Sequence, residues 1–458
     1  MVPYVGRVVL PASMSRELLC MVNKGIKAVL LLVIAAFMAA ALFQLVRIKN
    51  AVPGKTDLEY TQLVPEIMEM IRQKYVEPVD KKKLLEGAVS GMLAALDPHS
   101  AYLPADSFKE MNIQMSGSFG GIGLEVNMME GRLTVISPID DTPAFRAGIK
   151  PGDIIWKIDG KFTRNLNLTE AVNRMRGPKG SKLSLTIIRK KAPKPLVFGL
   201  VRDIITTKSL KSRSLEPGFG YIRIAHFQER SAAEFSRALH ALRTENGGAL
   251  KGLVIDLRNN PGGLLEQVVE IAGHFIDGKN ENGLVVYTEG REKSSRMTLT
   301  TGMNDKEPRY PVVVLINGGS ASAAEILAGA LQDHKRGIIM GTQSFGKGSV
   351  QSIFPLPGGA GLKLTTARYY TPKGRSIQAR GITPDIIVGD VDMPPAPEKK
   401  ETPLRERDLE NHIKDQGSVP ESGEAVPAAL PPGKGDKDYQ LSRALDLLKG
   451  MGMLAQQK

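Results

Sequence analysis

The stretch VVVLINGGSASAAEILAGALQDH, residues 312–334, places an apolar strand directly before a helix. VVVLI is a continuous run of apolar residues, which is typical of a strand buried on both faces of its sheet. Beyond Gly318 and Gly319, apolar residues recur at three- and four-residue steps, which predicts a helix. A buried strand that leads straight into a helix indicates an α/β protein.

The same alternation continues on both sides of this stretch, over residues 215–390. The predicted elements are the strand YIRIAHF, the helix SAAEFSRALHALR, the strand GLVIDLR, the helix LLEQVVEIAGHFI, and the strands GIIMGT, VQSIFPL and LKLTTARYY. Such alternation predicts a sheet with parallel strands and right-handed crossovers. We therefore predict an α/β domain over residues 204–390.

The regions on either side of this α/β domain have different sequence patterns. Residues 112–203 show short strands and glycine turns around one helix whose N-cap is Asn167 or Thr169. Residues 55–111 have helical periodicity and predict an arm for dimerisation, gating or capping. Residues 391–436 are rich in Pro, Glu, Lys and Gly, which predicts a flexible linker, and residues 437–458 predict a C-terminal helix that docks on the rest.

The N-terminal fifty residues contain an uncharged apolar run at residues 28–46, flanked on both sides by Lys and Arg. Its length is enough to span a bilayer. If its apolar core is taken to end before the small residues Ala39–Ala41, it also fits a secretory signal peptide with those residues as the cleavage site. We expect residues 1–50 to be a signal peptide or membrane anchor and the remainder to be translocated; the sequence leaves cleavage open.

Composition narrows the possible functions. The net charge is +13, but the basic residues are scattered and only 5% of residues are aromatic, so we expect no nucleic-acid partner. The single cysteine, Cys20, precedes the apolar run, which leaves no thiolate nucleophile or disulfide beyond it. The six histidines lack metal-ligand spacing, so we expect no metal and no cofactor.

The stretch GTQSFGKGSVQ, residues 341–351, is one residue away from a P-loop. A P-loop needs Ser or Thr after its lysine and must open a helix, whereas Gly348 follows Lys347 and the next residues read as a strand. With a period of two, Lys347, Ser349 and Gln351 share one face of that strand. Facing a buried cleft, Lys347 would lose its charge and act as a base that Gln351 orients; the alternative is a solvent-exposed lysine.

Two serines compete as the nucleophile for such a base. Ser320 and Ser322 both lie at the N-terminus of the predicted helix 321–334, where backbone N–H groups point at developing negative charge. Ser322 and Glu325 also match a capping box, in which Ser322 would be only an N-cap. The residues alone leave this choice open.

The turn after the predicted strand GLVIDLR offers backbone donors. In DLRNNPGG, residues 256–263, Gly262 or Gly263 would supply one N–H to an oxyanion, with the N–H of Ala323 as the other. The alternative is an ordinary turn between a strand and a helix.

The motifs SASAAE, FGKGSVQ and DLRNNPGG together resemble those of the carboxy-terminal processing proteases, a family of serine proteases with a Ser/Lys dyad. The resemblance covers residues 57–390 and departs at Ala324, where many relatives have a further serine. It implies a crotonase-like α/β protease core. Because the family's nucleophile lies 25 positions before its lysine, the resemblance selects Ser322 over Ser320. It also implies Gln351 as the residue beside the lysine, and Ala323 with Gly262 or Gly263 as oxyanion donors.

SFGGIGLEV and TPAFRAGIKPGDIIWKIDG, residues 118–126 and 142–160, resemble a PDZ domain. A glycine-rich turn that enters a strand exposes amides for a terminal carboxylate, and the strand edge pairs with the incoming peptide. The resemblance implies that Gly121, Ile122, Gly123 and Leu124 form this loop and that the helix at 168–175 walls the groove. Arg176 is a candidate relay between peptide binding and catalysis; the alternative is a surface arginine.

The sequence and the resemblance together predict an α/β multidomain protein with a protease core, an inserted PDZ domain at 112–203 and an N-terminal helical arm; the crotonase-like α/β fold of the core is implied by the resemblance. The predicted function is a serine endopeptidase on the periplasmic side of the cell envelope that binds protein C-termini through its PDZ domain. The resemblance implies envelope proteins with apolar C-termini as its substrates. The family implies a homodimer or larger homo-oligomer and allows an adaptor protein. The rivals are a non-catalytic PDZ scaffold and a P-loop NTPase.

Overall fold

The computed structural model describes residues 55–190, 192–278, 283–302, 307–389, 404–414 and 438–456. They divide into two compact units, one ending at Val89 and one beginning at Ser90. The first unit holds helix α1 (Lys55–Lys74) and the start of α2 (Lys81–Ala94). None of the helices in the described ranges has the length and apolarity needed to cross a membrane, and the expected anchor at 28–46 lies outside those ranges.

The second unit holds the remaining helices and all the strands of the described residues. The helices are α3 (Ala105–Ser116), α4 (Pro143–Arg146), α5 (Leu168–Met175), α6 (Ser231–Glu245), α7 (Leu265–Gly273), α8 (Ala323–Asp333) and α9 (Tyr439–Gln456). The strands are β1 (Ala101–Leu103), β2 (Ser118–Gly121), β3 (Leu124–Met129), β4 (Arg132–Pro138), β5 (Ile154–Ile158), β6 (Lys161–Phe162), β7 (Lys182–Ile188), β8 (Leu196–Val201), β9 (Asp203–Thr206), β10 (Leu210–Glu216), β11 (Phe219–Ile224), β12 (Gly252–Asp256), β13 (Leu284–Gly290), β14 (Met297–Thr300), β15 (Val312–Ile316), β16 (Ile338–Gly341), β17 (Ser349–Pro355), β18 (Gly361–Tyr370) and β19 (Ile386–Ile387).

The centre of the second unit is a six-stranded sheet in the order β10-β11-β12-β15-β16-β19. All neighbours from β11 onward are parallel, as the alternation of strands and helices predicts. Helices α6, α7 and α8 pack on one face, and α9 packs on the other through Ala444 and Leu448. Both faces are therefore covered, and every residue of β12 and β15 is buried.

A second, antiparallel sheet of the core contains β1, β18, β13 and β14, with β17 paired to β18. Strand β1 pairs with Gly361–Lys363 of β18, although residues 55–111 were expected to form a separate helical arm. The boundary expected at residues 111 and 112 also falls inside α3. A three-residue strand whose partner lies far along the chain leaves no local periodicity to detect.

The PDZ-like part is a sheet in the order β3-β4-β5-β7-β8, with β6 paired to β5. Strand β3 lies at the edge of this sheet, and α5 packs near it. Asn167 is the N-cap of α5 and forms a capping box with Glu170, whereas Thr169 lies inside the helix. The separate ribbon β2–β9 joins the two ends of this region.

Residues 404–414 contradict the prediction of a flexible linker over 391–436. They form a short 3₁₀ turn, Glu406–Asp408, and Glu406 is completely buried. The prediction failed because this segment is held by polar contacts and has no apolar face that a periodicity would reveal.

Candidate active site

Ser322 lies immediately before α8, where the chain leaves β15 through a glycine turn. Its backbone has φ 55° and ψ −117°, a conformation that L-residues other than glycine rarely adopt. Strain of this kind persists where the surrounding structure enforces it, and it clusters at functional sites. Ser322 is half-buried, so its side chain remains accessible.

Ser320, the competing serine, has a structural role. It is completely buried, its Oγ donates to the Leu257 carbonyl at 2.8 Å, and it accepts from the Asn317 N–H at 3.0 Å. Its hydroxyl therefore joins the ends of β12 and β15 and is not accessible from solvent.

Glu325, in the first turn of α8, is a completely buried carboxylate that accepts four hydrogen bonds. Oε1 accepts from Ser344 Oγ at 2.5 Å and from the Gly346 N–H at 2.7 Å. Burial raises the pKa of Glu325 to about 7, while the four donors favour the ionised form. The capping-box motif in the sequence identified this residue but not its wider role.

The other oxygen of Glu325 joins the two halves of the candidate site. Oε2 accepts from the Ser322 N–H at 2.8 Å and from the Lys347 N–H at 2.9 Å. A single oxygen atom therefore separates the backbone of the candidate nucleophile from that of the candidate base.

Lys347 is half-buried and precedes β17, which begins at Ser349. Burial lowers the pKa of the Lys347 amine, and the nearby charge of Lys363 lowers it further. The carboxylates of Glu406, Glu325 and Asp97 act in the opposite direction. Because this segment leads into a strand, it lacks the helix N-terminus that a P-loop requires.

Gln351 shares a face with Ser349, as the strand period predicts. Gln351 Nε2 donates to Ser349 Oγ at 2.9 Å and to Thr365 Oγ1 at 3.3 Å. Thr365 in turn donates to Asp97 Oδ1 at 3.1 Å.

Gly262 lies against the start of α8, and Gly263 lies against the backbone of Phe227. A Cβ on Gly262 would sit 2.9 Å from Ser322 Cβ, and one on Gly263 would sit 2.1 Å from the Phe227 carbonyl oxygen. The N–H of Gly262 donates to Asn260 Oδ1 at 2.8 Å. Among the described residues, no acceptor is assigned to the N–H groups of Gly263 and Ala323.

The four residues of the expected carboxylate loop precede and enter the edge strand β3. The Ile122 carbonyl accepts from the Ala144 N–H at 2.9 Å, and Gly123 has φ 77°. β3 and α5 carry partly buried apolar side chains that pack against the core of the PDZ-like part, which are Leu124, Val126, Leu168 and Val172.

Arg176 lies at the C-terminal end of α5 and forms an ion pair with Glu110 of α3. Its guanidinium carbon also lies 4.8 Å from the centre of the Phe119 ring. Arg176 thus connects the PDZ-like part to α3 rather than standing alone on the surface. Across the described ranges, no cluster of His, Cys, Asp and Glu has an arrangement that could hold a metal.

Comparison with known proteins agrees with these features. Three family profiles match the chain: peptidase family S41 at residues 218–388, the PDZ domain at 120–197, and the N-terminal domain of the activating protease CtpB at 44–107. The chain is 44% identical to a carboxy-terminal-processing protease of Bartonella bacilliformis, over 93% of this chain and 96% of the relative. The chain belongs to the carboxy-terminal processing proteases.

Other members of the family show the same relationship. The carboxy-terminal processing protease CtpB of Bacillus subtilis is 39% identical over 71% of this chain and 67% of its own length. Among solved structures, the photosystem II D1 C-terminal processing protease aligns over 72% of this chain and 92% of its own, with 28% identity and a TM-score of 0.42. The predictions of a serine-type peptidase and of an α/β protease core with a PDZ domain are confirmed.

Proposed function

We propose that this carboxy-terminal processing protease is an endopeptidase that cleaves with Ser322 and Lys347 as a catalytic dyad. One observation carries the proposal: the two residues donate their N–H groups to the same oxygen of a buried carboxylate, Glu325 Oε2. The strained backbone of Ser322 and the lowered pKa of Lys347 support it.

The chemistry follows from these positions. Ser322 Oγ forms a bond to the scissile carbonyl carbon while the neutral amine of Lys347 takes the hydroxyl proton. Lys347 then gives that proton to the leaving nitrogen as the C–N bond breaks. Water attacks the resulting ester with Lys347 again as base, and the proton returns to Ser322 Oγ. Gln351, whose Nε2 is engaged by Ser349 and Thr365, offers its amide oxygen to orient the amine.

The developing oxyanion needs donors that are fixed in advance. The N–H of Ala323, at the start of α8, is one such donor. Of the two glycines, we assign the second donor to Gly263, because the N–H of Gly262 already bonds Asn260. Gly262 has a steric role: any side chain there would collide with Ser322.

The substrate would be a protein chain whose C-terminus binds the groove between β3 and α5. The open edge of β3 can pair with an extended peptide, and the apolar lining of the groove favours an apolar C-terminal residue. A cavity of about 540 Å³ lies beside Leu264, the residue after Gly263, and is partly lined by Phe108 and Ile113. This cavity would accept an apolar side chain next to the scissile bond.

We place the protein in the cell envelope, on the periplasmic side, because residues 28–46 form an apolar run flanked by basic residues. Envelope proteins would then be its substrates, and a homodimer or larger homo-oligomer its working form. Added protease should degrade its C-terminal part in spheroplasts; protection from that protease would contradict this location.

Three serine and lysine variants test the dyad. Ser322→Ala and Lys347→Ala should each lower cleavage of a tagged substrate with an apolar C-terminus by about 10³-fold or more. Ser320→Ala is the control: it should lose stability but retain cleavage wherever it is folded, because its buried hydroxyl bonds only Leu257 and Asn317. If folded Ser320→Ala is inactive while Ser322→Ala still cleaves, the nucleophile is wrong.

A non-catalytic PDZ scaffold was the main rival. Family membership and the arrangement of Ser322 and Lys347 both favour a peptidase. The rival would require Ser322→Ala to leave substrate degradation unchanged.

A further inference from the structure

The segment 404–414 lies beyond the protease core in sequence, yet it contacts the loop that carries Lys347. The Glu406 N–H donates to the Phe345 carbonyl at 3.2 Å, and Arg405 Nη1 donates to Gln343 Oε1 at 2.7 Å. Both acceptors lie within four residues of Lys347. The segment is therefore docked at the base half of the active site.

Within this segment, the Glu406 side chain is completely buried, and both of its oxygens have partners. His99 Nε2 lies 2.8 Å from Glu406 Oε1 and 2.7 Å from Oε2. Gln378 Nε2 donates to Oε1 at 3.0 Å. A carboxylate buried this deeply is costly unless its partners compensate, so its retention needs an explanation.

Gln378, one of the two partners of Glu406, connects Glu406 to the residue after Lys347. Gln378 is also completely buried, and its Oε1 accepts from the Gly348 N–H at 2.9 Å. A Cβ on Gly348 would lie 2.3 Å from the Gln378 nitrogen, so the two backbones are in close contact. Glu406 thus fixes, through Gln378, the residue that follows the base.

His99, the other partner of Glu406, connects Glu406 to Gln351 through Asp97 and Thr365. The N–H of His99 donates to Asp97 Oδ1 at 2.8 Å, and the same oxygen accepts from Thr365 Oγ1 at 3.1 Å. Thr365 Oγ1 accepts from Gln351 Nε2 at 3.3 Å. The chain of contacts from His99 therefore ends on the residue proposed to orient the lysine.

We propose that Glu406 is a positioning residue of the peptidase, and that segment 404–414 completes the active site by fixing Lys347 and Gln351 from one buried carboxylate. The proposal rests on the Ser322/Lys347 dyad of the proposed function. Glu406 touches neither substrate nor reacting atoms, and it acts through Gln378 and His99.

The negative charge of Glu406 has a second effect on the base. It favours the ammonium form of Lys347, together with Glu325 of α8 and Asp97 before β1, whereas Lys363 of β18 disfavours it. Removing this one charge should therefore lower the pKa of Lys347. A substitution that only loosened the fold, without removing this charge, would not lower the pKa in this way.

The test is the pH profile of kcat/KM for the full-length protein on a tagged substrate with an apolar C-terminus. Glu406→Gln can still accept from Gln378 but loses the charge, so the acidic midpoint of the profile should move down by roughly half a unit. Glu406→Ala loses the contact as well, and its kcat should fall about tenfold or more at unchanged KM. The matched control is Glu410→Gln, an exposed carboxylate of the same segment, which should behave as wild type.

An unmoved midpoint in Glu406→Gln would overturn the proposal, whatever its kcat. If Glu406→Ala fails to fold, the near-isosteric glutamine variant decides alone. Ser322→Ala is assayed alongside: activity in that variant would disprove the dyad, whereas an inactive Ser322→Ala with an unmoved Glu406→Gln profile would disprove only the role of Glu406.

Discussion

At the scale of single residues, Lys347 shows which of several opposing effects dominates. Three carboxylates favour its ammonium form, yet its pKa is lowered. Desolvation, the largest influence on this pKa, therefore outweighs the attraction of the three carboxylates. Repulsion by Lys363 lowers the pKa further. A lysine in this setting can supply a neutral amine without a catalytic histidine.

Because the proposed mechanism needs a neutral amine at Lys347, it predicts the direction in which activity changes with pH. Activity should rise as pH increases through the lowered pKa of Lys347, because only the deprotonated amine accepts the serine proton. Lys363→Met removes a neighbouring positive charge, so the pKa of Lys347 should rise and the acidic midpoint should move up by roughly half a unit. Lys211→Met, an exposed lysine on β10, is the control. A downward or absent shift in Lys363→Met would contradict this account of the base.

At the scale of elements, the edge strand β3 and its entry loop form the proposed binding site for a peptide that adds one strand. Backbone pairing along the open edge would supply affinity, and the partly buried apolar side chains of β3 and α5 would supply specificity. The loop holds its shape through Gly123, which packs against Thr142. Its conformation therefore depends on a position without a side chain.

Alanine variants of two glycines in this region allow the effect of backbone strain to be measured separately from that of a steric clash. Gly123 and Gly131 have φ of 77° and 71°, but a Cβ would lie 2.3 Å from Thr142 Cβ at Gly123 and would meet nothing within 4 Å at Gly131. Both alanine variants should lose roughly 1 kcal/mol of stability or more from backbone strain. Only Gly123→Ala should weaken binding of a peptide with an apolar C-terminus, by about tenfold or more, as measured by fluorescence anisotropy. Equal binding by the two variants would remove Gly123 from the carboxylate loop.

At the scale of the whole molecule, the second face of the central sheet is covered by the last helix of the chain. Arg258, just after β12, bonds Asp438 at 2.8 and 2.7 Å and also Asp256. The stretch 256–263, which contains the proposed oxyanion donor Gly263, therefore also anchors α9. Without α9, the apolar side chains Val254, Val313 and Leu315 would face water.

The contribution of α9 can be measured with two leucines on the same helix. Leu448 is completely buried, whereas Leu454 is 67% exposed. Leu448→Ala should lower the free energy of unfolding by about 2–5 kcal/mol, and Leu454→Ala by less than about 0.5 kcal/mol, in urea denaturation. Similar values for both variants would mean that α9 does not cover the sheet in solution.

The sequence predicted those parts of the molecule whose signal is local. The strands around VVVLI and the helices α6 and α8 lie within a few residues of their predicted positions, because burial on both sides leaves clear apolar runs and periods. Strand β1 and segment 404–414 were missed because their stability comes from partners far along the chain.

The candidate site divides in the same way. The residues alone led to Lys347 and Gln351 and left Ser320 and Ser322 open, and the family resemblance selected Ser322. The structure brings the segments of Ser322 and Lys347 together. The bonding of Ser320 was not predictable, since it depends on the Leu257 carbonyl at the end of another strand, and the use of the Gly262 N–H depends on how the turn folds Asn260 back onto it. The sequence identifies Glu325 only as a helix-capping residue. The hydrogen bonds of its carboxylate to a loop farther along the chain depend on the tertiary fold and leave no pattern in the sequence.

The shared oxygen of Glu325 limits how this enzyme can be switched off. Any movement that separates the Lys347 backbone from Ser322 must break a hydrogen bond to a carboxylate that water cannot reach. Leaving a buried ionised acceptor short of a partner is costly. The proposed nucleophile and base should therefore move as one rigid body, so an inactive form costs less free energy if substrate entry is blocked than if these two residues are separated.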